Sequence, residues 1–410
     1  MVADATGAAA PRRRMLARID TPVTDHWQDG HLHNDHFKQG YSTHLSLWQR
    51  IEHITWAWFM MVMSTAGLSL LCHGTPHQFR GLRTIGKIFL ILDLVFFVPL
   101  TTAMVVRFVR SPPALVKSLT HTTESLFAPC FFISISSLLC CFATYGGPAT
   151  GPWFPETLWV LFWTYLSVTL VCTIAQFWLL FRGGNMPVHS MTPAWILPVF
   201  PPMLSGVVAA NAASLMPAGR AFTMIIAGLS AEAMGFMVSI FVYPLYIGRL
   251  MQDGLPAPAM RPGMFVPVGP PGYMTVALIG MSRALPAEHG YFEKHPLAPE
   301  VLSILALWIG VWLWCLTFWF FSVAVVSVIA SAIRRELRFS MSWWAFVFPN
   351  VGFVLATGMI GEELDSEGIQ WVCSGMSILL VAVWFLVIVA QVRAVIRRRI
   401  LWPGHDEDRQ

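Results

Sequence analysis

Apolar residues recur along the chain in ten long runs that are separated by polar segments. A helix needs about 20 mainly apolar residues to cross the hydrocarbon layer of a bilayer, and each run has roughly that length or more. The pattern predicts ten transmembrane helices (spans 1 to 10), at residues 54–73, 84–108, 126–144, 156–181, 194–215, 221–250, 264–284, 301–333, 342–360 and 369–396.

The connections between these runs are mostly short, so consecutive helices are expected to run up and down as hairpins. We therefore predict an all-α membrane protein whose ten transmembrane helices form five helical hairpins. The predicted organisation is a polar N-terminal tail at 1–53, a ten-helix transmembrane domain at 54–397, and a C-terminal tail at 398–410.

Composition supports a membrane location and excludes several other classes of protein. Hydrophobic residues make up 56% of the chain and charged residues only 12%, whereas soluble proteins average about 25% charged residues. Such a surface needs lipid to cover it. The net charge of +4 indicates no nucleic-acid partner. We find no motif for a nucleophile, a phosphate loop or a metal, so we expect no cofactor and no enzymatic activity.

The distribution of Lys and Arg predicts the orientation in the membrane. With ten spans, 20 of the 26 basic residues fall on the side that holds both tails. Because cytoplasmic loops carry an excess of Lys and Arg, both termini are expected in the cytoplasm.

Odd-numbered and even-numbered spans differ in composition. The odd spans contain proline, glycine and small polar residues, such as Pro198, Pro201 and Pro202 in span 5, whereas the even spans are rich in Val, Leu, Phe and Trp. Backbone groups that Pro and Gly leave unpaired are tolerated in a membrane where they pack on protein or line water. We predict that the odd helices form an inner pore and the even helices an outer ring. The alternative is ordinary kinks between packed helices.

Candidate anion-binding residues lie on or near these odd spans. Arginine pairs with carboxylates through a planar fork, and opened helices present backbone N–H groups to anions. The alternative for each arginine is a solvated charge at the membrane interface. The candidates are Arg80, Ser205, Arg220, Gly269, Pro270, Pro271, Thr275 and Arg283. Asp93 and Glu232, on even spans, are expected to make structural hydrogen bonds.

Several segments resemble one family of membrane transporters. Ser-Trp-Trp-Ala-Phe-Val-Phe-Pro at 342–349 resembles the ninth helix of the tellurite-resistance/dicarboxylate transporter family, which includes plant slow anion channels and the fungal sulfite pump. The segments 261–271 and 192–198, with weaker support from 121–125, resemble its fungal malic acid transporter branch. Two places depart from the family pattern, namely His121-Thr122 before span 3 and Gly272-Tyr273 in span 7.

The resemblance implies ten helices with the odd ones inside, and a phenylalanine that plugs the pore at the position of Phe348. It also implies a carrier of four-carbon dicarboxylates such as malate in the plasma membrane, and we expect a homo-oligomer, either a dimer or a trimer. A sulfite or inorganic-anion channel of the same fold is the first alternative. A membrane oxidoreductase subunit is the second, although His53 and His73 cannot form the stacked pairs that haem would need.

Overall fold

The computed structural model describes residues 50–147, 150–183 and 187–401, and these residues form helices and no strand. Ten helices are long and apolar enough to cross a membrane, as the sequence predicts. They are α1 (Trp56–Gly74), α2 (Leu82–Arg110), α3 (Glu124–Gly146), α4 (Trp153–Gly183), α5 (Pro193–Leu215), α6 (Ala218–Asp253), α7 (Pro258–Arg283), α8 (Ala298–Ile333), α9 (Met341–Glu363) and α10 (Glu367–Ile396). The predicted tails at 1–53 and 398–410 lie mostly outside the described residues.

The odd helices form the interior of the protein. In each odd helix 72% to 89% of the most apolar segment is buried, against 22% to 39% in each even helix. Among the odd helices, α1 contacts α3, α3 contacts α5, α5 contacts α7, α7 contacts α9, and α9 contacts α1. The five odd helices therefore close into an inner ring, which is the arrangement that the proline and glycine pattern predicts.

Backbone geometry also separates the two sets of helices. Each even helix is one continuous α-helix, whereas each odd helix begins with a 3-10 segment that gives way to an α-helix inside the span. Proline occupies one or two of the first three positions of the α-helical part in four odd helices, where its missing N–H leaves no helical hydrogen bond unmade. These residues are Pro129, Pro201, Pro202, Pro270, Pro271 and Pro349.

A buried ion pair connects the first three helices at one end. Both terminal nitrogens of Arg107, at the end of α2, lie 3.2 Å from Oε1 of Glu124, at the start of α3. Arg107 also donates to the carbonyl of Ile54, just before α1, at 2.6 Å. Because two partners lie on other elements, we infer that this arginine fixes the relative positions of these three helix ends.

The two carboxylic acids inside even helices are buried against odd helices. No hydrogen bond of good geometry to the carboxyl oxygens of Asp93 or Glu232 is found among the described residues, but the backbone of Ala66 in α1 lies beside Asp93, and that of Gly206 and Val207 in α5 lies beside Glu232. The expectation that both acids make structural hydrogen bonds stays a prediction. Glu232 lies directly against α5, since a Cβ added to Gly206 would be 2.4 Å from its Oε2. Gly206 therefore provides the space that the Glu232 side chain fills.

Candidate anion path

Two cavities open between the inner helices. The proximal cavity, of about 290 Å³, lies where the odd helices begin, and its lining includes Met60, Leu197, Phe200, Tyr246, Arg249 and Phe348. The distal cavity, of about 360 Å³, lies where the odd helices end, and its lining includes His73, Thr144, Asn211, Tyr273, Arg283 and Glu362.

Three aromatic rings lie between the two cavities, and we call them the aromatic plug. Phe200 of α5 and Phe348 of α9 line the proximal cavity, and Tyr273 of α7 lines the distal cavity. The Tyr273 ring stacks on Phe348 at a centroid distance of 5.0 Å, and the Phe200 ring lies 5.9 Å from Tyr273 and 6.2 Å from Phe348. All three are buried. The plug separates the cavities with apolar ring surface, which opposes the passage of ions.

A hydrogen bond and two glycines hold the plug in place. The hydroxyl of Tyr273 donates to the backbone carbonyl of Phe348 at 2.9 Å. A Cβ added to Gly269 would lie 2.7 Å from Cζ of Phe200, and one added to Gly352 would lie 2.8 Å from Cδ2 of Tyr273. Real Cβ atoms do not come so close to other heavy atoms, so each ring occupies space that only glycine leaves free.

The distal cavity is more polar than the proximal cavity, and its wall includes an arginine that already has hydrogen-bond partners. Arg283 donates from Nε to Glu363 at 2.6 Å and from one terminal nitrogen to Glu362 at 3.0 Å. Thr144 and Asn211, which also line this cavity, share a hydrogen bond of 3.2 Å. Two carboxylates therefore compete with any anion for the guanidinium of Arg283.

The structure brings only two of the predicted site residues to the cavities. Phe348 lines the proximal cavity and Arg283 lines the distal cavity. Gly269 faces the Phe200 ring, as described above, and Pro270 and Pro271 are buried at the start of the α-helical part of α7. These prolines lack the N–H groups that an anion would need.

Two further candidates lie outside the lining of the cavities. Thr275 donates to the carbonyl of Pro271 at 2.9 Å and lies 3.3 Å from the carbonyl of Gly310 in α8, so its hydroxyl points toward the outer ring. Ser205 is buried, and its hydroxyl has no hydrogen-bond partner among the described residues. Neither residue belongs to the lining of a cavity.

The other two arginines lie away from the cavities. Arg220, near the start of α6, forms an ion pair of 2.5 Å with Glu156 of α4, and its guanidinium lies 5.5 Å from the centre of the Trp159 ring. Arg80 is exposed in the turn between α1 and α2. Both positions are typical of solvated charges at the membrane interface, which is the alternative to anion binding that the sequence left open for each arginine.

Most residues that line the path were not among the predicted site residues, and the most informative of these are Phe200, Tyr246, Arg249 and Tyr273. The family comparison drew attention to Gly272-Tyr273 as a departure, and Tyr273 proves to be part of the plug. Phe200 directly precedes Pro201, as Phe348 directly precedes Pro349. An aromatic residue immediately before the proline of an odd span was therefore a signal that could have identified Phe200.

The fold and the site define a membrane transport protein in which an inner ring of helices encloses a path closed by aromatic rings. The chain belongs to the voltage-dependent anion channel family, whose model matches residues 53–392. This agrees with the resemblance found in the sequence.

Within this family, the chain is similar to proteins that are named as transporters of malic acid or sulfite. The chain is 35% identical over 366 residues to the malic acid transport protein of Schizosaccharomyces pombe, covering 89% of this chain and 84% of that protein. It is 32% identical to a putative malic acid transport protein of the same yeast, over 88% of this chain and 84% of that protein. It is also 25% identical to the sulfite efflux pump SSU1 of Trichophyton rubrum, over 83% of this chain and 90% of that protein.

Proposed function

We propose that the protein transports four-carbon dicarboxylates, with malate, succinate and fumarate as the candidate substrates. The observation that carries the proposal is the pair of cavities inside the inner ring, each with an arginine in its wall, on either side of the aromatic plug. A guanidinium matches the geometry of a carboxylate. The malic acid transport proteins named above support the choice of substrate.

In this proposal the plug is the gate. A buried ring of three aromatic side chains excludes water, and a narrow apolar constriction resists ions until it is widened or wetted. Transport then requires the Phe348 ring to leave its place beside Tyr273 and Phe200. Malate export and proton-linked uptake both remain within the proposal.

The proposal also includes a location and an orientation. The excess of basic residues on the side of the tails supports a cytoplasmic position for both termini. In this proposed orientation the proximal cavity faces the cytoplasm. A plasma-membrane location and a homo-oligomer, a dimer or a trimer, complete the proposal.

Purified protein in liposomes tests the substrate directly. We expect saturable uptake of labelled malate and succinate, and weak uptake of monocarboxylates, because a second carboxylate adds a second set of charge-assisted hydrogen bonds. Protein-free liposomes are the control. Strong sulfite or chloride flux without malate flux would contradict the proposal and favour the alternative of a sulfite or inorganic-anion channel, which the similarity to sulfite efflux pumps supports.

Charge at the distal cavity offers a second test. Glu362→Gln frees part of the Arg283 guanidinium and should lower the half-saturating malate concentration, while Arg283→Gln leaves two carboxylates unpaired and should raise it. The residues are partly exposed, so we expect changes of about two- to fivefold, in line with about 1 kcal/mol or less for an exposed pair. Both changes should shrink at high salt. If Glu362→Gln and Arg283→Gln changed the half-saturating malate concentration equally and in the same direction, Arg283 would not act through its charge.

A further inference from the structure

Two side chains near the end of α6 carry hydrogen-bond donors without acceptors in the wall of the proximal cavity. Tyr246 Oη and Arg249 Nε are both buried, and neither has a hydrogen-bond partner among the described residues. The two residues lie three positions apart on one helix, so they share a face. Both residues line the proximal cavity. Buried donors are nearly always paired in proteins, so a pair of unpaired ones needs an explanation.

The guanidinium of Arg249 is fixed at one edge only. One terminal nitrogen donates to the carbonyl of Gly254 at 3.1 Å. Gly254 directly follows the end of α6 and has a backbone φ of 73°, a conformation that favours glycine. This contact holds the arginine at the end of the helix and leaves its Nε uncommitted. The contrast with Arg283 is clear, because Nε of Arg283 already donates to a carboxylate.

The surroundings of Arg249 favour an anion. Among the described residues that line the proximal cavity Arg249 alone is charged, and the other residues are mainly apolar. An anion that enters this cavity loses part of its water, and charge-assisted hydrogen bonds are stronger in such surroundings. The cavity thus offers one positive charge with no competing carboxylate on its wall.

We infer that Tyr246 and Arg249 form a carboxylate-binding site in the proximal cavity, on the opposite side of the aromatic plug from Arg283. The inference rests on the proposed function and names where a dicarboxylate binds before the plug opens. Arg249 supplies the charge and Tyr246 one O–H donor. Solvent does not reach either donor atom in this closed structure, so binding requires the two side chains to rotate toward the cavity.

Malate binding to purified protein in lipid nanodiscs tests the site. The thermal unfolding midpoint, followed as a function of malate concentration, gives an apparent Kd because a ligand that binds only the folded state stabilises it. Arg249→Gln should raise the Kd by about 10- to 150-fold and Tyr246→Phe by about two- to tenfold, as expected for a charged and a neutral hydrogen bond. Arg249→Lys should restore only part of the binding, because lysine lacks the fork.

Arg182 provides the matched control. It lies near the end of α4, on the same side of the membrane domain, and its guanidinium lies 5.2 Å from the centre of the Trp178 ring. It is not part of the lining of either cavity. Arg182→Gln removes the same charge and should leave the Kd unchanged. If Arg182→Gln lost as much malate binding as Arg249→Gln, the loss would reflect net charge in general and would contradict the proposed site.

The outcomes separate this inference from the proposed function. If the wild type transports malate and Arg249→Gln and Tyr246→Phe bind it as the wild type does, the site is wrong and the proposed function stands. If the wild type neither binds nor transports malate, the proposed function fails and the site with it. If Arg249→Gln proves unstable without ligand, Tyr246→Phe and Arg249→Lys decide the question in the same assay.

Discussion

Replacing Phe348 with alanine is expected to raise malate flux per folded protein by about tenfold or more, which corresponds to a transport barrier lower by at least about 1.4 kcal/mol. The ring of Phe348 contacts both other members of the aromatic plug, Tyr273 and Phe200. Its removal joins the proximal and distal cavities by a wider and wetter passage. Flux in liposomes, divided by the amount of folded protein, measures the effect.

The same substitution must also lower stability, because Phe348 is buried. A buried Phe→Ala change costs about 3–5 kcal/mol. Phe353→Ala is the matched control, since Phe353 lies on the same helix, is equally buried, and packs on Trp314 and Phe321 of α8 instead of the plug. We expect Phe353→Ala to lose similar stability without any gain in flux. If Phe348→Ala gave a lower malate flux per folded molecule than the wild type, Phe348 would be a core residue and not the gate.

The overall fold could be predicted from sequence because lipid imposes strict physical rules. Each span must be long and apolar, so the ten runs predicted the ten helices. Backbone broken by proline must be covered by protein or water, so Pro201, Pro270 and Pro349 indicated which helices are inside. Helix starts were less accurate. The 3-10 part of α7 begins at Pro258, six residues before the predicted start, because its prolines and Arg261 interrupt the apolar run.

The candidate site could be predicted only in part, because the partner of a charged side chain is not visible along the chain. Arg220 looked like a residue at the mouth of a path, but Glu156, 64 positions earlier, pairs with it. Arg249 lies at the end of predicted span 6, an even span, and was not among the predicted site residues. Only the packing of α6 against the inner ring places it in the wall of a cavity. Arg283 lines a cavity, but its two acidic partners change what it can bind.

Gly272→Ala is expected to destabilise the protein by about 1–3 kcal/mol, the usual cost of adding a methyl group to a well-packed interior. Gly272 lies where α7 comes close to α9. A Cβ at this position would be 3.1 Å from the carbonyl carbon of Gly352 and from the backbone nitrogen of Phe353. Backbone atoms cannot rotate aside as a side chain can, so the two helices must separate. The thermal unfolding midpoint in detergent measures the loss.

Gly375→Ala is the control for this substitution. Gly375 lies within α10, and a Cβ added there meets no atom within 4 Å. Alanine is favoured over glycine within a helix by about 0.5–1 kcal/mol, so this variant should be as stable as the wild type or more so. Equal thermal unfolding midpoints for Gly272→Ala and Gly375→Ala would contradict the prediction, because they would show that a methyl group fits between α7 and α9 without separating them. Separation of α7 from α9 would also draw Tyr273 away from Phe348, so the Gly272→Ala protein that remains folded should leak malate, whereas Gly375→Ala should not.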